Sequence, residues 1–346
     1  MNKEKQFKIY SNSYNKYIYN LIPKNKKILI SVVMPVYNSG ELIHQTIKSI
    51  LTQTYTNFEF IIINDASTDN TLKVVKEYAK KDNRIKIINN KTNLGIALAS
   101  NKGLDAAKGK YIAMMDHDDI SLPQRFEKQV EFLEKNKDVF LLGTKYEHID
   151  INNKKIITMS VVTNPDKLKK YMITGRPKIC HPSIMFRNKT KIRYRSKIYY
   201  AQDYDFFLQL LSDNKKLSNL DEVLFKYRIH NTQTSMQKRD KQYLFSRKAI
   251  EFYWQRIKFG IDNYNEFNPN TILNFDFENT IDKDVITAKM LYYYNLEDYK
   301  LARKYIFKYF KLYGVFNKFL IYYILSLFPK TINEFFLNLN RKYRHR

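Results

Sequence analysis

The stretch ILISVVMPVYNSGELIHQTIKSILTQTYTNFEFIIINDASTDNT, residues 28–71, determines the fold class. It opens with a short apolar run rich in β-branched residues, ILISVVM (28–34), which is typical of a buried strand. A turn at PVYNSG leads into ELIHQTIKSILTQ, whose apolar residues fall on one face of a helix: Ile43, Ile47, Ile50 and Leu51. The second apolar run, FEFIIIN (58–64), predicts another strand. The stretch therefore predicts two parallel strands joined by a crossover helix.

The alternation of strands and helices continues to residue 115. A second helix is predicted after NDASTDNT, with Ser67, Thr68 and Asp69 as candidate N-caps. The remaining predicted elements are a strand at RIKIINN (84–90), a helix over 95–107 and a strand at KYIAMM (110–115). This order predicts an α/β fold, a doubly wound, mostly parallel sheet with helices on both faces. Because ligands bind beyond the carboxyl ends of such strands, PVYN, NDASTD and DHDD are predicted to meet at one edge.

The net charge of +26 is unevenly distributed along the 346 residues. Residues 31–150 carry 16 bases and 16 acids and sum to zero, whereas residues 1–30 carry seven bases and one acid, or +6. The remaining 37 bases and 17 acids, or +20, lie in residues 151–346. A neutral part suits catalysis or binding, and a basic part suits contact with polyanions.

The alternation fades after about residue 150. KKIITMS and HPSIMFR predict strands, YAQDYDFFLQLLSD (200–213) predicts a helix, and the chain beyond about 240 is helical and basic. We therefore predict three parts: a basic N-terminal extension (1–30), an α/β domain (31–235) and a basic, helical C-terminal region (236–346). The boundary near 235 depends on composition alone.

Cysteine usage and hydropathy indicate a cytoplasmic location. The single cysteine, Cys180, allows no internal disulfide, as in a reducing compartment. The first residues contain no apolar segment of signal-peptide length. The longest apolar run near the end, FLIYYILSLF (319–328), is too short to span a bilayer.

The acidic turn in MMDHDDISLP (114–123) places Asp116, Asp118 and Asp119 within four residues. Like charges this close raise one another's pKa unless a positive charge lies among them. A following helix could supply it, with Ser121 as N-cap and Pro123 in the first turn. A divalent cation could also supply it, because Mg²⁺ and Mn²⁺ bind one or two carboxylates together with substrate phosphates. We favour the cation, and both interpretations stay open.

The two other strand-end motifs contain further candidate site residues. Asp69 is interpreted as a turn and cap residue, whereas Asp65 is as consistent with a ligand contact as with a cap. Tyr37, which follows the first strand, could stack on a nucleobase or simply pack.

Taken in order, SVVMPVYN, NDASTDNT and NLGIALASNKGLDAAKGKYIAMMDHDDISLPQR resemble the family 2 glycosyltransferases, which have the GT-A fold. The resemblance runs from about residue 31 to 150. HPSIMFR, YAQDYDF and YRIHNTQTS are similar to that family's acceptor-side and closing motifs and extend the likeness to about 235. The resemblance implies that residues 31–235 form a GT-A domain that binds a nucleotide sugar and carries out catalysis.

The resemblance also implies roles for individual residues. Pro35 and Tyr37 would frame a uracil, Asp65 would accept its N3–H, and Asn93 would help to bind the nucleotide sugar. Asp116 would lie near the ribose and, with Asp118, would hold a divalent cation, Mn²⁺ or Mg²⁺, on the diphosphate. The remaining implied roles are a general base, closure over the diphosphate and an acceptor-side contact, assigned to Asp203, His230 and His181.

Two departures from the family pattern bear on these roles. Where members commonly have Glu-Asp, this chain has Gln202-Asp203, which keeps the base and removes a neighbouring acid. Where members often have an arginine, it has Ala99-Ser100-Asn101, so one positive contact to the donor is missing or comes from elsewhere.

The predicted function is therefore an inverting, metal-dependent glycosyltransferase of the hexosyltransferase type. The favoured donor is a UDP-sugar, and the acceptor is a hydroxyl of a growing surface glycan, free or lipid-linked, such as capsule, O-antigen or lipooligosaccharide. A single displacement assisted by one positioned carboxylate inverts the anomeric centre.

The C-terminal region contains a predicted basic amphipathic helix. Lys304, Lys308, Lys311 and Lys318 lie on one face, and the apolar residues roughly opposite are Ile306, Tyr309, Tyr313, Phe316 and Leu320. Such a helix could lie on an anionic membrane, peripherally on the inner face of the cell membrane, or could pack its apolar face on the protein. The sequence favours neither alternative and indicates no oligomeric state.

The sequence suggests two alternative functions and disfavours a third. A sugar-nucleotide nucleotidyltransferase would show a glycine-rich, basic phosphate loop after the first strand, and this chain has PVYNSGELIH there. A nucleic-acid-binding protein would line a groove with bases and aromatic residues, yet the motif-rich part is neutral, so we predict no nucleic acid partner. A Rossmann dehydrogenase is disfavoured because no GxGxxG follows a strand.

Overall fold

The computed structural model describes residues 29–230, 233, 237–276, 279–295, 299–315 and 319–327. These residues form two compact units that are interleaved along the chain. The first contains the chain up to Lys170 together with Lys178–Tyr194 and Asn214–Ile229. The second contains Tyr171–Pro177, Arg195–Asp213 and the described residues from His230 onward.

The first unit begins with four parallel strands in the order β3-β2-β1-β4. They are β1 (Ile30–Val36), β2 (Phe58–Asn64), β3 (Ile85–Asn89) and β4 (Tyr111–Met114). The helices between them are α1 (Leu42–Leu51), α2 (Thr71–Lys81) and α3 (Ile96–Ala106). Every residue of β1, β2 and β4 is buried, as expected for strands covered on both faces. The predicted α/β fold with a mostly parallel sheet is confirmed.

The sheet continues beyond β4 with strands of mixed direction. The further elements are β5 (Ile120–Ser121), α4 (Arg125–Lys135), β6 (Val139–Ile149), β7 (Lys155–Met159), α5 (Pro165–Met172), a 3₁₀ turn (His181–Ser183), β8 (Met185–Arg187) and β9 (Lys216–Arg228). The strand order from β4 is β8-β6-β9-β5, with β7 paired to β6. Strand β8 is antiparallel to β4 and β6, whereas β9 is parallel to β6.

Two predicted helix starts were wrong. After the acidic turn, Ser121 lies in β5, and α4 starts only at Arg125 with Gln124 at the N-cap position. The Ser121 hydroxyl oxygen accepts a hydrogen bond from Gln53 Nε2 at 3.1 Å and caps no helix. Helix α2 starts at Thr71 with Asn70 at the N-cap position, not at Ser67, Thr68 or Asp69.

The HPSIMFR segment is a strand only over its last three residues.

The second unit is helical, as predicted for the C-terminal region. Its helices are α6 (Gln202–Ser212), α7 (Arg239–Phe259), α8 (Asn270–Leu273), α9 (Lys283–Asn295), α10 (Tyr299–Tyr313) and α11 (Phe319–Leu325). Helix α7 ends at Gly260, whose φ of +76° is in the left-handed region that glycine adopts at little cost. In the described part of the chain, no helix combines the length and apolarity needed to cross a bilayer.

Helix α10 buries the predicted apolar face inside the protein. Ile306 and Tyr309 are buried in a cluster with Ile286, Met290 and Phe319 from the neighbouring helices α9 and α11. The packing alternative therefore holds for these two side chains, whereas Tyr313 is 40% exposed. Phe316, Lys318 and residues 1–28 of the predicted N-terminal extension lie outside the described residues.

Candidate active site

The carboxyl ends of the first strands lie side by side. Val36 pairs with Asn64 and Asn64 pairs with Asn89, so the loops after β1, β2 and β3 start next to one another. The backbone N–H of Asp65 donates to Val36 O at 2.8 Å, and that of Met115 donates to Val33 O at 3.0 Å. The predicted convergence of PVYN, NDASTD and DHDD on one edge is therefore confirmed.

The loops after β1 and β2 brace each other. The side-chain oxygen of Asn38, whose φ is +48°, accepts a hydrogen bond from the N–H of Thr68 at 2.8 Å. Asp69 accepts from the N–H of Gly40 at 3.1 Å and from that of Thr71 at 3.0 Å, which confirms it as a turn residue. Pro35 is buried within β1, and Tyr37 is 45% exposed at the strand end. The ring available to a ligand here is that of Tyr37.

Asp65 is only 3% exposed and organises the loop that leads into α3. Its Oδ1 accepts hydrogen bonds from Asn90 Nδ2 at 2.8 Å and from the N–H of Leu94 at 3.0 Å. Its Oδ2 accepts from the N–H of Gly95 at 2.9 Å, a donor shared with the side chain of the exposed Asn93 at 3.0 Å. Asp65 therefore holds the loop through three hydrogen bonds, and of its carboxylate oxygens only Oδ2, which accepts one of them, keeps a lone pair for a ligand.

Lys102 supplies a positive charge near Asp65 that sequence analysis missed. Its Nζ donates to Asn90 Oδ1 at 2.7 Å, and Asn90 in turn donates to Asp65. Ala99 and Ser100, which stand where family members often have an arginine, are buried and uncharged. Neither can supply the positive contact of that arginine. The sequence feature that could have revealed this charge is that Lys102 directly follows Asn101 of the same segment.

The carboxylates of the acidic turn differ in burial. Asp116 and Asp118 are half-buried, whereas Asp119 is fully buried. One oxygen of Asp119 accepts from the N–H of Arg228 at 2.7 Å, and the other has no hydrogen-bond partner among the described residues. Burial, followed by the charges of Asp118 and Asp116, raises the pKa of Asp119 well above its usual value. Of the three, Asp116 and Asp118 are therefore the residues that are not fully buried.

Two fully buried arginines flank the acidic turn, and sequence analysis missed both. Arg228 Nε donates to Asp118 O at 2.7 Å. Arg125 Nη2 donates to Met114 O at 2.9 Å and to Ile184 O at 3.0 Å. Burial lowers the pKa of Arg125 to about 9, so the group stays charged at neutral pH. Fixed positive charge beside the turn thus comes from arginine side chains rather than from the start of a helix.

The residues of the acidic turn fit a divalent cation that arrives with its ligand. Within the described ranges, no group of three or more His, Cys, Asp or Glu side chains is placed to enclose a metal ion. Two half-buried carboxylates on one turn are nevertheless the donor set that Mg²⁺ or Mn²⁺ uses when substrate phosphates complete the coordination. Asp118 and Asp116 would hold the ion.

His181 is tied to Tyr194 within the first unit. Its Nε2 lies 2.7 Å from the Tyr194 hydroxyl oxygen, and the two rings meet edge to face at 5.6 Å. Asn101 fixes the backbone of Tyr194 by accepting from its N–H at 2.9 Å and donating to its carbonyl at 2.8 Å. The residue assigned to the acceptor side is therefore held by the segment that departs from the family pattern.

The two aspartates of AQDYDF, both in the second unit, have different environments. Asp205 is fully buried and binds Arg195 through two hydrogen bonds, one of them 2.7 Å from Nε to Oδ2. Arg195 also binds Asp262 at 2.8 Å, and although burial opposes it, hydrogen bonds to these carboxylates raise the pKa of Arg195. Asp203 is half-buried in the first turn of α6 and accepts from the N–H of Tyr204 at 2.8 Å. Of the two, Asp203 is the carboxylate open to a substrate.

His230, also in the second unit, is half-buried. Its N–H donates to Gln233 Oε1 at 3.4 Å, and its carbonyl accepts from the N–H of Gln233 at 3.2 Å.

Cys180 in the first unit is a buried free thiol, as expected for a single cysteine.

The chain is similar to several known proteins. It is 36% identical over 252 residues to an uncharacterized glycosyltransferase of Methanocaldococcus jannaschii, an alignment that covers 70% of this chain and 85% of the relative. It is 32% identical over 211 residues to the Escherichia coli UDP-Glc:alpha-D-GlcNAc-diphosphoundecaprenol beta-1,3-glucosyltransferase WfgD, covering 61% of this chain and 81% of that protein.

Its fold is also similar to that of a solved structure. S. aureus TarS 1-349 in complex with UDP-GlcNAc superposes with a TM-score of 0.57 at 18% identity, covering 80% of this chain and 90% of that one. The family model described as glycosyl transferase family 2 matches residues 31–198, which include the strand-end motifs and the acidic turn. The chain therefore belongs to glycosyl transferase family 2 and is a glycosyltransferase with the GT-A fold.

Proposed function

We propose that this protein transfers a hexose from a UDP-sugar, with inversion, to a hydroxyl of a growing surface glycan. The observation that carries the proposal is the edge where an exposed tyrosine, a buried carboxylate and two half-buried carboxylates follow neighbouring strands: Tyr37, Asp65, Asp116 and Asp118. A relative that uses UDP-Glc and a diphosphoundecaprenol-linked acceptor supports the donor and acceptor classes. The acceptor is a glycan, free or lipid-linked.

On this proposal the donor binds through the strand-end loops. The uracil stacks on Tyr37, framed also by Pro35 near the end of β1, and its N3–H donates to Asp65. Asn93 contacts the nucleotide sugar, and Asp116 lies at the ribose. Asp118 and Asp116 would hold Mn²⁺ or Mg²⁺, which when bound would offset the charge of the leaving diphosphate.

The transfer step is a single displacement. An acceptor hydroxyl oxygen attacks the anomeric carbon while the bond from that carbon to the UDP oxygen breaks, and the electron pair leaves with UDP. Asp203 takes the proton from the attacking hydroxyl. Attack from the face opposite the leaving group inverts the anomeric centre. His230 is assigned to the diphosphate and His181 to the acceptor.

The experiment that tests this proposal is a calorimetric titration of UDP with and without Mn²⁺, followed by a transfer assay with a panel of UDP-sugars. Wild-type protein should bind UDP more tightly with Mn²⁺. Asp118→Ala should remove that gain, and Asp203→Asn should keep it while losing transfer. Equal UDP binding with and without Mn²⁺ in the wild type would contradict the metal role. Unchanged transfer by Asp203→Asn would contradict the base role.

We also propose that the enzyme is cytoplasmic and lies peripherally on the inner face of the cell membrane. Residues 299–327 contain no Asp or Glu. Lys300, Lys304, Lys311 and the 54% exposed Phe307 fall on the outward face of α10, within about 60° when each residue turns the helix by about 100°. Bases around an exposed ring suit an anionic bilayer surface.

Co-sedimentation with phosphatidylglycerol vesicles tests this location. The wild type should sediment with them and not with phosphatidylcholine vesicles, and Phe307→Ser with Lys304→Gln should weaken the binding. If the wild type and the double variant were recovered equally in the supernatant of phosphatidylglycerol vesicles, the membrane role would be contradicted. Retention on DNA at the same salt concentration would favour the nucleic-acid alternative.

The three-part division of the chain is likewise a proposal: a basic extension over 1–30, the GT-A domain over 31–235 and the helical region over 236–346. The described C-terminal residues support Asp203 indirectly, because Gln242 Nε2 donates to Tyr200 O at 2.8 Å just before α6. Limited proteolysis tests the division: fragments that end near residue 235 would support it, and cleavage only at other positions would contradict it.

A further inference from the structure

Arg228 is the last residue of β9 and is fully buried at the acidic turn. Its guanidinium donates to backbone carbonyls at Asp118 (2.7 Å), Asp150 (3.1 Å) and Ile151 (3.2 Å). A further N–H donates to Gln45 Oε1 on α1 at 3.0 Å. One side chain thus joins the acidic turn to the end of β6 and to the first crossover helix.

The acidic turn depends on these contacts for its shape. It links β4 to the two-residue strand β5 and has no helix or ladder of its own over 116–119. The single hydroxyl hydrogen of Thr46 is shared between two carbonyl oxygens, those of His117 and Asp119, which lie 3.0 Å and 2.8 Å from Oγ1. The backbone N–H of Arg228 donates to Asp119 Oδ1 at 2.7 Å, which holds the fourth residue of the turn. The carbonyl of Asp118, which lies between those anchors, is held by Arg228 Nε.

We propose that Arg228 is a positioning residue that sets the Asp118 carboxylate for the divalent cation of the donor complex. The inference rests on the proposed function, since it concerns the cation that Asp118 would hold. Arg228 acts through the peptide of Asp118 and does not itself bind the ion. Partners of this kind, one step behind the ligands, change metal affinity about 10- to 100-fold in other sites when they are removed.

Arg228 also links the turn to the next part of the chain. Residues 229 and 230 follow it directly, and the N–H of Ile229 donates to Ile149 O at 2.8 Å. His230, assigned to the diphosphate, is thus two residues from the side chain that holds Asp118. Because Arg228 Nε holds the carbonyl of Asp118, loss of that contact should weaken the binding of UDP with metal more than that of UDP alone.

Arg228→Lys tests the proposal because it keeps the charge and loses the fork of donors. One ammonium cannot reach the carbonyls of Asp118, Asp150 and Ile151 and the side chain of Gln45 at once. UDP binding is measured by calorimetry against Mn²⁺ concentration, together with KM for Mn²⁺, kcat at saturating Mn²⁺ and the melting temperature. We expect the Mn²⁺ concentration for half-maximal UDP binding to rise about tenfold, while UDP binding without Mn²⁺ and kcat at saturating Mn²⁺ change little.

Arg187→Lys is the matched control. Arg187 also donates to three backbone carbonyls, at Val139 (3.0 Å), Leu133 (2.7 Å) and Asn136 (3.0 Å). It pairs with Tyr111 at the start of β4, the end opposite to the acidic turn. This variant should lower the melting temperature and leave the Mn²⁺ requirement of the folded protein unchanged.

Gln45→Ala keeps the test decisive if Arg228→Lys does not fold. Gln45 is exposed, so its loss removes one partner of Arg228 without opening the core. We expect a smaller rise in the Mn²⁺ requirement, about threefold, in the same direction. A lower melting temperature with an unchanged Mn²⁺ requirement in Arg228→Lys, or in Gln45→Ala if only that variant folds, would overturn the positioning role. A wild type whose UDP binding ignores Mn²⁺ would overturn the proposed metal use and this inference together.

Discussion

The two aspartates of AQDYDF lie only two residues apart but have different environments, so they allow one sharp prediction. Asp205 is buried against Arg195 and also accepts from Gln209 Nε2 at 2.9 Å. Asp203 is half-buried and accepts from the adjacent backbone N–H. Replacing each by asparagine keeps the side-chain volume and removes the charge, so the pair separates stability from chemistry.

The expected loss of stability can be worked out for each variant. Breaking a buried ion pair by removing one partner costs about 3–5 kcal/mol. Because Arg195 keeps Asp262 at 2.8 Å, Asp205→Asn should lie at the low end, about 3 kcal/mol in the free energy of unfolding. Asp203→Asn removes no buried pair and should change it by about 0.5 kcal/mol or less. Transfer should show the opposite order, with Asp203→Asn lowering kcat at least about 100-fold.

The assay combines urea unfolding, UDP titration and initial rates of transfer per folded molecule. Asp205→Asn should unfold at lower urea and keep most of its kcat, whereas Asp203→Asn should unfold like the wild type and bind UDP normally. A loss of stability in Asp203→Asn as large as that in Asp205→Asn would refute this assignment. So would an Asp205→Asn variant that is as stable as the wild type and inactive.

Three further predictions concern the first unit. Asp118→Ala should abolish the Mn²⁺-dependent part of UDP binding and leave the melting temperature within a few degrees of the wild type, and retained Mn²⁺ dependence in calorimetry would count against the ligand role. Asp65→Asn should lower the free energy of unfolding by about 1–3 kcal/mol, because one acceptor facing the N–H groups of the β3–α3 loop becomes a donor; urea unfolding at the wild-type value would contradict this account of the loop. Hydrogen bonds from Lys110, Lys137 and Tyr111 lower the pKa of Glu134 to about 2, below its usual 4.5, so its contribution is present above pH 4.5 and lost as the pH falls toward 2. The difference in melting temperature between the wild type and Glu134→Gln should therefore shrink over that range, and a difference that stayed constant would refute it.

The parallel half of the sheet could be predicted because its sequence pattern matches its burial. Strands β1 and β2 are apolar runs buried along their whole length, and helices with one apolar face lie between the strands. Strand β9 escaped prediction because KLSNLDEVLFKYR mixes charged and apolar residues, and its exposed positions interrupt the pattern. Strand β6 was missed next to it, although its first six residues are all buried, and the N-cap of helix α4 was placed at Ser121, whereas the structure has Gln124 there.

The candidate site also contains residues that a local sequence pattern could reveal and residues that only tertiary contacts reveal. The strand-end carboxylates could be found because a run of acids after a buried strand is unusual. The arginines that hold the turn could not, since an arginine in a sequence looks like surface charge until its carbonyl partners are known, and those of Arg228 lie 77 to 110 residues away. Ile306 and Tyr309 illustrate a further limit, because an amphipathic pattern does not say whether lipid or protein covers the apolar face.

The proposed function depends most on the acidic turn holding a cation against a uridine diphosphate at the carboxyl edge of the sheet. Anomalous diffraction at the manganese edge, from crystals grown with UDP and Mn²⁺, measures this directly. A manganese peak bonded to a carboxylate oxygen of Asp118, with the uracil against Tyr37, is the predicted result. A peak elsewhere, or UDP bound away from Asp65 and Tyr37, would contradict it.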